Sequence, residues 1–177
     1  PNYNCLQYLD TCINSIYQQK NVNFEIIIVD DGSTDGSKEY LEQLAAEKSE
    51  VRIFSQQRKG VVAARNLAIT QSKSEYLAFL DADDYWSADK LAAQFAFHKK
   101  HPDCVLSFTE YMHFNENNED IIGCFDYWPE FKCNKENTDF QFLDNPISQM
   151  ITTNIVGTSS VMVKRSTRSE EHTSELQ

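Results

Sequence analysis

Two short runs of this sequence end an apolar stretch in clustered carboxylates, Asp30-Asp31-Gly32-Ser33 and Asp81-Ala82-Asp83-Asp84. In open α/β sheets the carboxyl ends of strands are where ligands bind. Two acidic clusters on one sheet edge would repel each other and would repel a phosphate still more. A hard divalent cation with a preference for oxygen removes both costs, so Mg²⁺ or Mn²⁺ is expected there. Asp81 and Asp83 lie two residues apart, so extended backbone past Leu80 would project both to one side and let them share the ion. A cation so held would bind two phosphate oxygens of a nucleoside diphosphate and stabilise its charge as it leaves, which is Lewis-acid catalysis. The bland alternative is a capped turn leading into the next helix.

The elements that must carry these residues follow from periodicity. Leu6, Leu9, Ile13, Ile16 and Tyr17 recur at helical spacing, which predicts a helix from Cys5 to Gln18 with Asn4 as N-cap. Phe24 to Val29 is β-branched and nearly continuously apolar, the form of a strand buried on both faces. Ser33, Thr34 and Asp35 are candidate caps for a helix with Tyr40, Leu41, Leu44 and Ala45 on its inner face. A strand at Val51–Phe54, a helix from Val62 to Gln71, a strand at Tyr76–Leu80, a helix from Ala88 to Lys100 and a strand from Cys104 to Phe114 come next. Helix and strand alternate throughout, which argues for an α/β fold: a mostly parallel sheet with helices on both faces. Asn115 to Asn137 reads as a long loop or flap, Thr138 to Ile151 as holding a helix, and Thr158 to Lys164 as a last strand.

At 177 residues the chain fits one domain. A net charge of −11 gives no basic footprint for nucleic acid, and no apolar run reaches the roughly 20 residues needed to span a bilayer. Five scattered cysteines without a C-x-x-C pair argue for reduced thiols and a cytoplasmic setting. The opening Pro1-Asn2-Tyr3-Asn4 suggests that upstream residues are missing. The last ten residues, Arg168 to Gln177, lack apolar periodicity and resemble the translation of a sequencing-library adapter. They are expected to be a disordered, non-native read-through tail outside a domain spanning 1–167.

Four motifs in order, Pro1-x-Tyr3-Asn4, Val29-Asp30-Asp31-Gly32-Ser33-Thr34-Asp35, Gly60 with Ala64-Arg65-Asn66, and Tyr76 through Asp84, resemble the family 2 glycosyltransferases of GT-A (Rossmann-like) fold. The resemblance covers Pro1 to about Arg165. It implies a metal-dependent enzyme that moves a sugar from a nucleotide-diphosphate donor, expected to be a UDP-sugar, to a hydroxyl of a glycan or lipid-linked acceptor, with inversion. Residues implied to contact the nucleotide are Pro1, Tyr3 (stacking on the base), Asp31 (accepting from a base N–H), Asp30 (bracing the turn or the ribose), Arg65 (neutralising phosphate or holding Asp31) and Asp81. Asp83 is the implied principal metal ligand, with Asp81 beside it and Asp84 open between the two roles. Thr158-Ser159-Ser160 matches a stretch near the family's acceptor side. The family's first strand, which should run into Pro1, and its later acidic motif with the general base are absent, so the domain is expected to be incomplete at both ends and inactive. Membrane association, at the inner face, is expected only through missing regions.

Two other functional classes fit less well. A phosphoryl-accepting receiver module needs one acceptor Asp on a middle strand, where this chain has Asp81-x-Asp83-Asp84; a non-catalytic nucleotide-binding relative is the other alternative. His98, His101 and Cys104 read as a solvated helix end rather than metal ligands. Phe95, Phe97, Phe108, Tyr111 and Phe114 read as core. Tyr127 and Trp128 read as a loop aromatic pair that either stacks on a sugar or tucks against the core.

Overall fold

Leu9, Ile13 and Ile16, the stripe read from the sequence, are buried on α1 (Leu6–Tyr17) against Ile26 and Ile28 of β1 (Ile26–Asp30). The computed structural model describes residues 1–115, 117, 119–134 and 140–167; the expected tail at 168–177 lies outside them. Asn4 does not cap α1: it adopts φ 52 and its side-chain oxygen accepts the Thr34 N–H at 2.8 Å. The cap comes from Asp35, whose two carboxylate oxygens accept Leu6 N–H at 2.9 Å and Ser37 N–H at 3.0 Å, the latter opening α2 (Ser37–Glu47). One carboxylate thus serves two helix N-termini, where orphan donors and the helix dipole both favour negative charge. This ties the segment before α1 to the loop after β1.

β1 pairs in parallel with β2 (Val51–Ser55), Ile26 opposite Val51 and Asp30 opposite Ser55. Asn2 adds one parallel bridge to Asp30 on the other side, with Asn2 N–H donating to the Val29 carbonyl at 2.9 Å. α3 (Val61–Gln71) packs against β1 without joining the cluster that α1 and α2 form with Ile26, Ile28 and Leu41. The second sheet places β7 (Val161–Lys164) between β3 (Tyr76–Ala78) and β4 (Leu106–Phe108), antiparallel to both. The α/β class stands, but pairing is more mixed than the expected mostly parallel sheet, because the final strand returns against its neighbours. Between β1 and β3 opens a cavity of about 750 Å³, lined by Asn2, Ile28, Tyr76, Ala78, Leu91 and Met162 among others.

The single strand expected over Cys104–Phe114 splits into β4 and β5 (Met112–Phe114), and β5 forms an antiparallel hairpin with β6 (Asp120–Gly123). The stretch read as a flap therefore holds a hairpin and the short α5 (Cys124–Tyr127), and α6 (Pro146–Thr152) follows. Trp128 tucks against the cluster of Cys124, Phe131 and Ile155, whereas Tyr127 remains 57% exposed.

α4 (Lys90–Lys100) differs most from its reading: its inner face is Lys90, Leu91, Gln94 and His98, and Phe95 is 37% exposed. His98 is not solvated. Its Nδ1 lies 3.1 Å from the Cys104 carbonyl and its Nε2 3.0 Å from Ser107 Oγ. Gln94 Nε2 donates to Ser107 and to the Ser160 carbonyl, and Lys90 Nζ donates to Gln94 Oε1 at 2.7 Å while lying 4.5 Å from the Trp86 ring centroid. Each buried polar group finds a partner, which is the condition for placing it inside.

Lys90 is 7% exposed, and burial pushes its ammonium down from 10.5 to about 7. The unfolded chain holds that proton up to about pH 10 while the folded chain releases it near 7, so this residue makes stability rise with pH between those values. Lys90→Met is expected to remove about 2 kcal/mol of the stability gained from pH 7 to 9. Denaturant unfolding at both pH values reads this; an unchanged pH dependence would place the Lys90 charge in water.

Candidate nucleotide and metal site

β1 and β3 lie in different sheets, and α3 links the acidic runs that follow them, with Gly60 before its first turn bonded to Asp31 and its Arg65 bonded to Asp81; each carboxylate there has a different occupation. Asp30 is 1% exposed. Its Oδ2 accepts Ser33 N–H at 3.0 Å and Gly32 N–H at 3.2 Å, its Oδ1 accepts Asn2 Nδ2 at 2.8 Å, and the Ser33 hydroxyl donates to it as well. These bonds brace the turn that follows β1.

Asp31 organises the loop before α3. Gln56 Nε2 and Lys59 N–H donate to its Oδ1 at 2.8 and 2.6 Å, and Gly60 N–H donates to its Oδ2 at 2.8 Å. Burial alone would raise this carboxyl, but those three donors and the Arg58 charge hold it below its ordinary value. Oδ2 has one protein donor and so keeps acceptor capacity. Gly60 stands at φ 88, a backbone conformation that L side chains rarely adopt, though nothing crowds its Cβ position. Beside this turn the Arg58 guanidinium carbon lies 4.8 Å from the Tyr3 ring centroid.

Arg65, on α3, reaches the second acidic run and not Asp31, which corrects one of its two expected roles. Its Nη2 donates to both oxygens of Asp81 at 2.6 and 2.7 Å. The extended backbone expected past Leu80 is not found, because β3 ends at Ala78 and the Asp84 N–H bonds back to the Asp81 carbonyl at 3.1 Å, curling residues 81–84 into a turn. Asp81 faces Arg65 while Asp83 is exposed. Among the described residues no three His, Cys, Asp or Glu side chains converge on a common point.

Ser159, read from the sequence as part of a stretch near the acceptor side, holds the acidic turn. Its hydroxyl donates to Asp84 Oδ2 at 2.5 Å and accepts the Asp81 N–H at 3.0 Å, and its carbonyl accepts Trp86 Nε1 at 2.7 Å. Burial pushes the Asp84 carboxyl up, Ser159 pulls it down, and the charges of Asp83 and Asp81 raise it further. Asp84 is therefore a brace inside the turn. Ser159 and Gln56 have no local sequence signal for these roles, since their partners lie 75 and 25 residues away.

A hard cation fits this donor set in one way. Mg²⁺-type ions are commonly bound through one or two carboxylates with the rest of the shell from water and substrate phosphates. The exposed Asp83 would offer such an ion one carboxylate and Asp81, shared with Arg65, a second.

Comparison with known proteins places these features in context. The family model described as "Glycosyl transferase family 2" matches residues 1–167. A glycosyltransferase assigned to teichuronic acid biosynthesis in Bacillus subtilis (strain 168) is 40% identical over 114 residues, 63% of this chain and 44% of the relative. A chondroitin synthase of Pasteurella multocida (strain Pm70) is 32% identical over 78% of this chain and 14% of its own length. Among solved structures, the Pyrobaculum calidifontis mannosyltransferase PcManGT in complex with GDP-Man and Mn²⁺ aligns at TM-score 0.55 and 25% identity over 60% of this chain and 32% of that one. S. aureus TarS aligns at TM-score 0.53 and 29% identity over 58% of this chain and 19% of that one. The chain thus spans less than half the length of these relatives.

Proposed function

This chain belongs to glycosyl transferase family 2, and from that premise we propose that it carries the donor side of a metal-dependent sugar transfer. The donor is a nucleoside diphosphate sugar, with UDP as the favoured carrier, and the acceptor is a hydroxyl of a glycan or lipid-linked glycan. Attack from the face opposite the leaving diphosphate would invert the anomeric centre, with a general base taking the proton of the acceptor hydroxyl. The work would be done in the cytoplasm, at the inner membrane face where the acceptor is lipid-linked.

The observation that carries this reading is the run of contacts along the loop before α3 and α3 itself, Arg58 on Tyr3, Lys59 and Gly60 on Asp31, and Arg65 on Asp81, with Asp83 exposed two residues on. Tyr3 offers a ring face for a base. Asp31 Oδ2 keeps acceptor capacity for a ring N–H flanked by carbonyls, as in uracil. Arg65 neutralises Asp81, so that anionic phosphates meet one fewer uncompensated carboxylate in the turn, and Asp83 is the exposed one. A divalent cation on Asp83 and Asp81 would supply Lewis-acid stabilisation of the departing diphosphate. The mannosyltransferase with GDP-Man and Mn²⁺ supports the use of both a nucleotide sugar and a divalent ion in this fold.

Titration with UDP and UMP in Mn²⁺ tests the reading. UDP is expected to bind at least tenfold more tightly, because only the diphosphate offers two phosphate groups to the ion. Equal affinities, or no binding by folded protein, would contradict it.

A further inference from the structure

Asp84 is the carboxylate of the acidic turn to which the proposed reaction assigns nothing, and its partner across the fold is Ser159. The bond from Asp84 N–H to the Asp81 carbonyl closes residues 81–84 into a four-residue turn, whose end Cα atoms lie within about 7 Å. Three carboxylates therefore start close enough together to meet on one hard cation, yet they are not offered alike. Asp83 is exposed, whereas Asp84 is half-buried and turned toward Ser159. Ser159 sits in the one-turn 3₁₀ segment Thr158–Ser160 and is fixed there from two sides. Its hydroxyl oxygen accepts Asp81 N–H at 3.0 Å, and its carbonyl accepts the indole N–H of Trp86, a side chain that is 8% exposed. With the hydroxyl oxygen already accepting an N–H, its one proton is left for Asp84 Oδ2 at 2.5 Å. An acceptor-only carboxylate is the partner that this polarity suits.

We infer that Ser159 is a positioning residue: by holding Asp84 it limits the turn to two carboxylates, Asp81 and Asp83, for a divalent ion. The inference rests on the donor-site reading above and deepens it, since it names what keeps positions on the ion open for a diphosphate. Many oxygen ligands make a dedicated cage of the kind that holds Ca²⁺, whereas Mg²⁺-type sites use one or two carboxylates and leave the rest to water and substrate phosphates. A released Asp84 would act twice against a diphosphate. It would fill one of those positions, and it would add a negative charge facing the phosphates. The same release would tighten the hold on the bare ion. Loss of the Ser159 hydroxyl therefore moves metal and nucleotide affinities in opposite directions, which a general loosening of the fold does not do.

The test compares wild type with Ser159→Ala, Ser159→Thr, Asp84→Asn and the double variant Ser159→Ala/Asp84→Asn, each with its thermal midpoint measured. Binding of Mn²⁺ alone is followed by the EPR signal of the free ion, and binding of UDP in saturating Mn²⁺ by calorimetry. Ser159→Ala is expected to bind Mn²⁺ about fivefold more tightly and UDP about fivefold more weakly. Ser159→Thr keeps the hydroxyl and is expected to match wild type in both. Asp84→Asn, alone or in the double variant, is expected to lose less than about threefold in Mn²⁺ affinity, since no third charge is left to release. Affinities for Mn²⁺ and UDP that fall together in Ser159→Ala, or stay unchanged in that variant when folded, would overturn the inference. So would a Ser159→Ala effect that persists in the double variant. If Ser159→Ala does not fold, Asp84→Asn decides: a larger Mn²⁺ loss would make Asp84 a ligand of the ion in the wild type and overturn the inference. Each of these results leaves the donor-site reading standing, whereas folded wild type that binds neither Mn²⁺ nor UDP sinks both.

Discussion

Asp83→Ala is expected to leave the fold unchanged and to lower affinity for UDP in Mn²⁺ about a hundredfold, roughly 2.8 kcal/mol. The size follows from the occupation of its neighbours. Asp81 is taken by Arg65 and Asp84 by Ser159, so Asp83 is the carboxylate of the run that stands exposed for an ion. An ion that draws only one or two ligands from protein loses a large share of its hold when the free one goes. Asp84→Ala makes the contrast. It removes the Ser159 brace and is expected to cost stability first, visible as a lowered thermal midpoint. A comparable metal-dependent loss in both variants, with unchanged midpoints, would mean that the turn does not divide its carboxylates in this way.

Arg65→Met gives the other large effect. It takes the partner from Asp81 and leaves three carboxylates in a four-residue turn without a neutralising cation. The pair is about a quarter exposed on each side, 24% and 30%, so solvent screening limits the loss. It is expected at about 2 kcal/mol, above a surface pair and below a fully buried one. Because the residual charge is the kind a divalent ion neutralises, millimolar Mn²⁺ should recover much of the loss in the variant while moving the wild type less. Denaturant unfolding with Mn²⁺ and with chelator measures both. A loss that Mn²⁺ does not touch would separate the Arg65–Asp81 pair from the ion site.

Much of the frame was legible because it rests on local periodicity. The α1 stripe, the apolar β1 run and the strand before Asp81 each announce themselves within a few residues, and each acidic run follows the end of such a strand. Partnerships made across the fold were not legible. The sequence pointed to Asn4 as the cap of α1, but the donors at that helix are met by Asp35 from another loop. Extended geometry past Leu80 was the natural reading of Asp81-x-Asp83, and the turn that replaces it is held by Ser159, which follows 75 residues after Asp84. On α4 the aromatics looked like the inner face. The buried stripe is instead Lys90, Gln94 and His98, tolerated because Ser107, Ser160 and Cys104 satisfy it, and a hydropathy pattern carries no record of such satisfaction.

The metal-assisted nucleotide site proposed here is formed by Tyr3, Asp31, Arg65 and Asp83. Calorimetric titration of the folded protein with UDP, once in Mn²⁺ and once with chelator, tests it most directly. Saturable binding in Mn²⁺ that weakens at least tenfold with chelator is the predicted result. Equal binding in both conditions would contradict the role given to Asp83 and Asp81, and no binding in either would contradict the site itself.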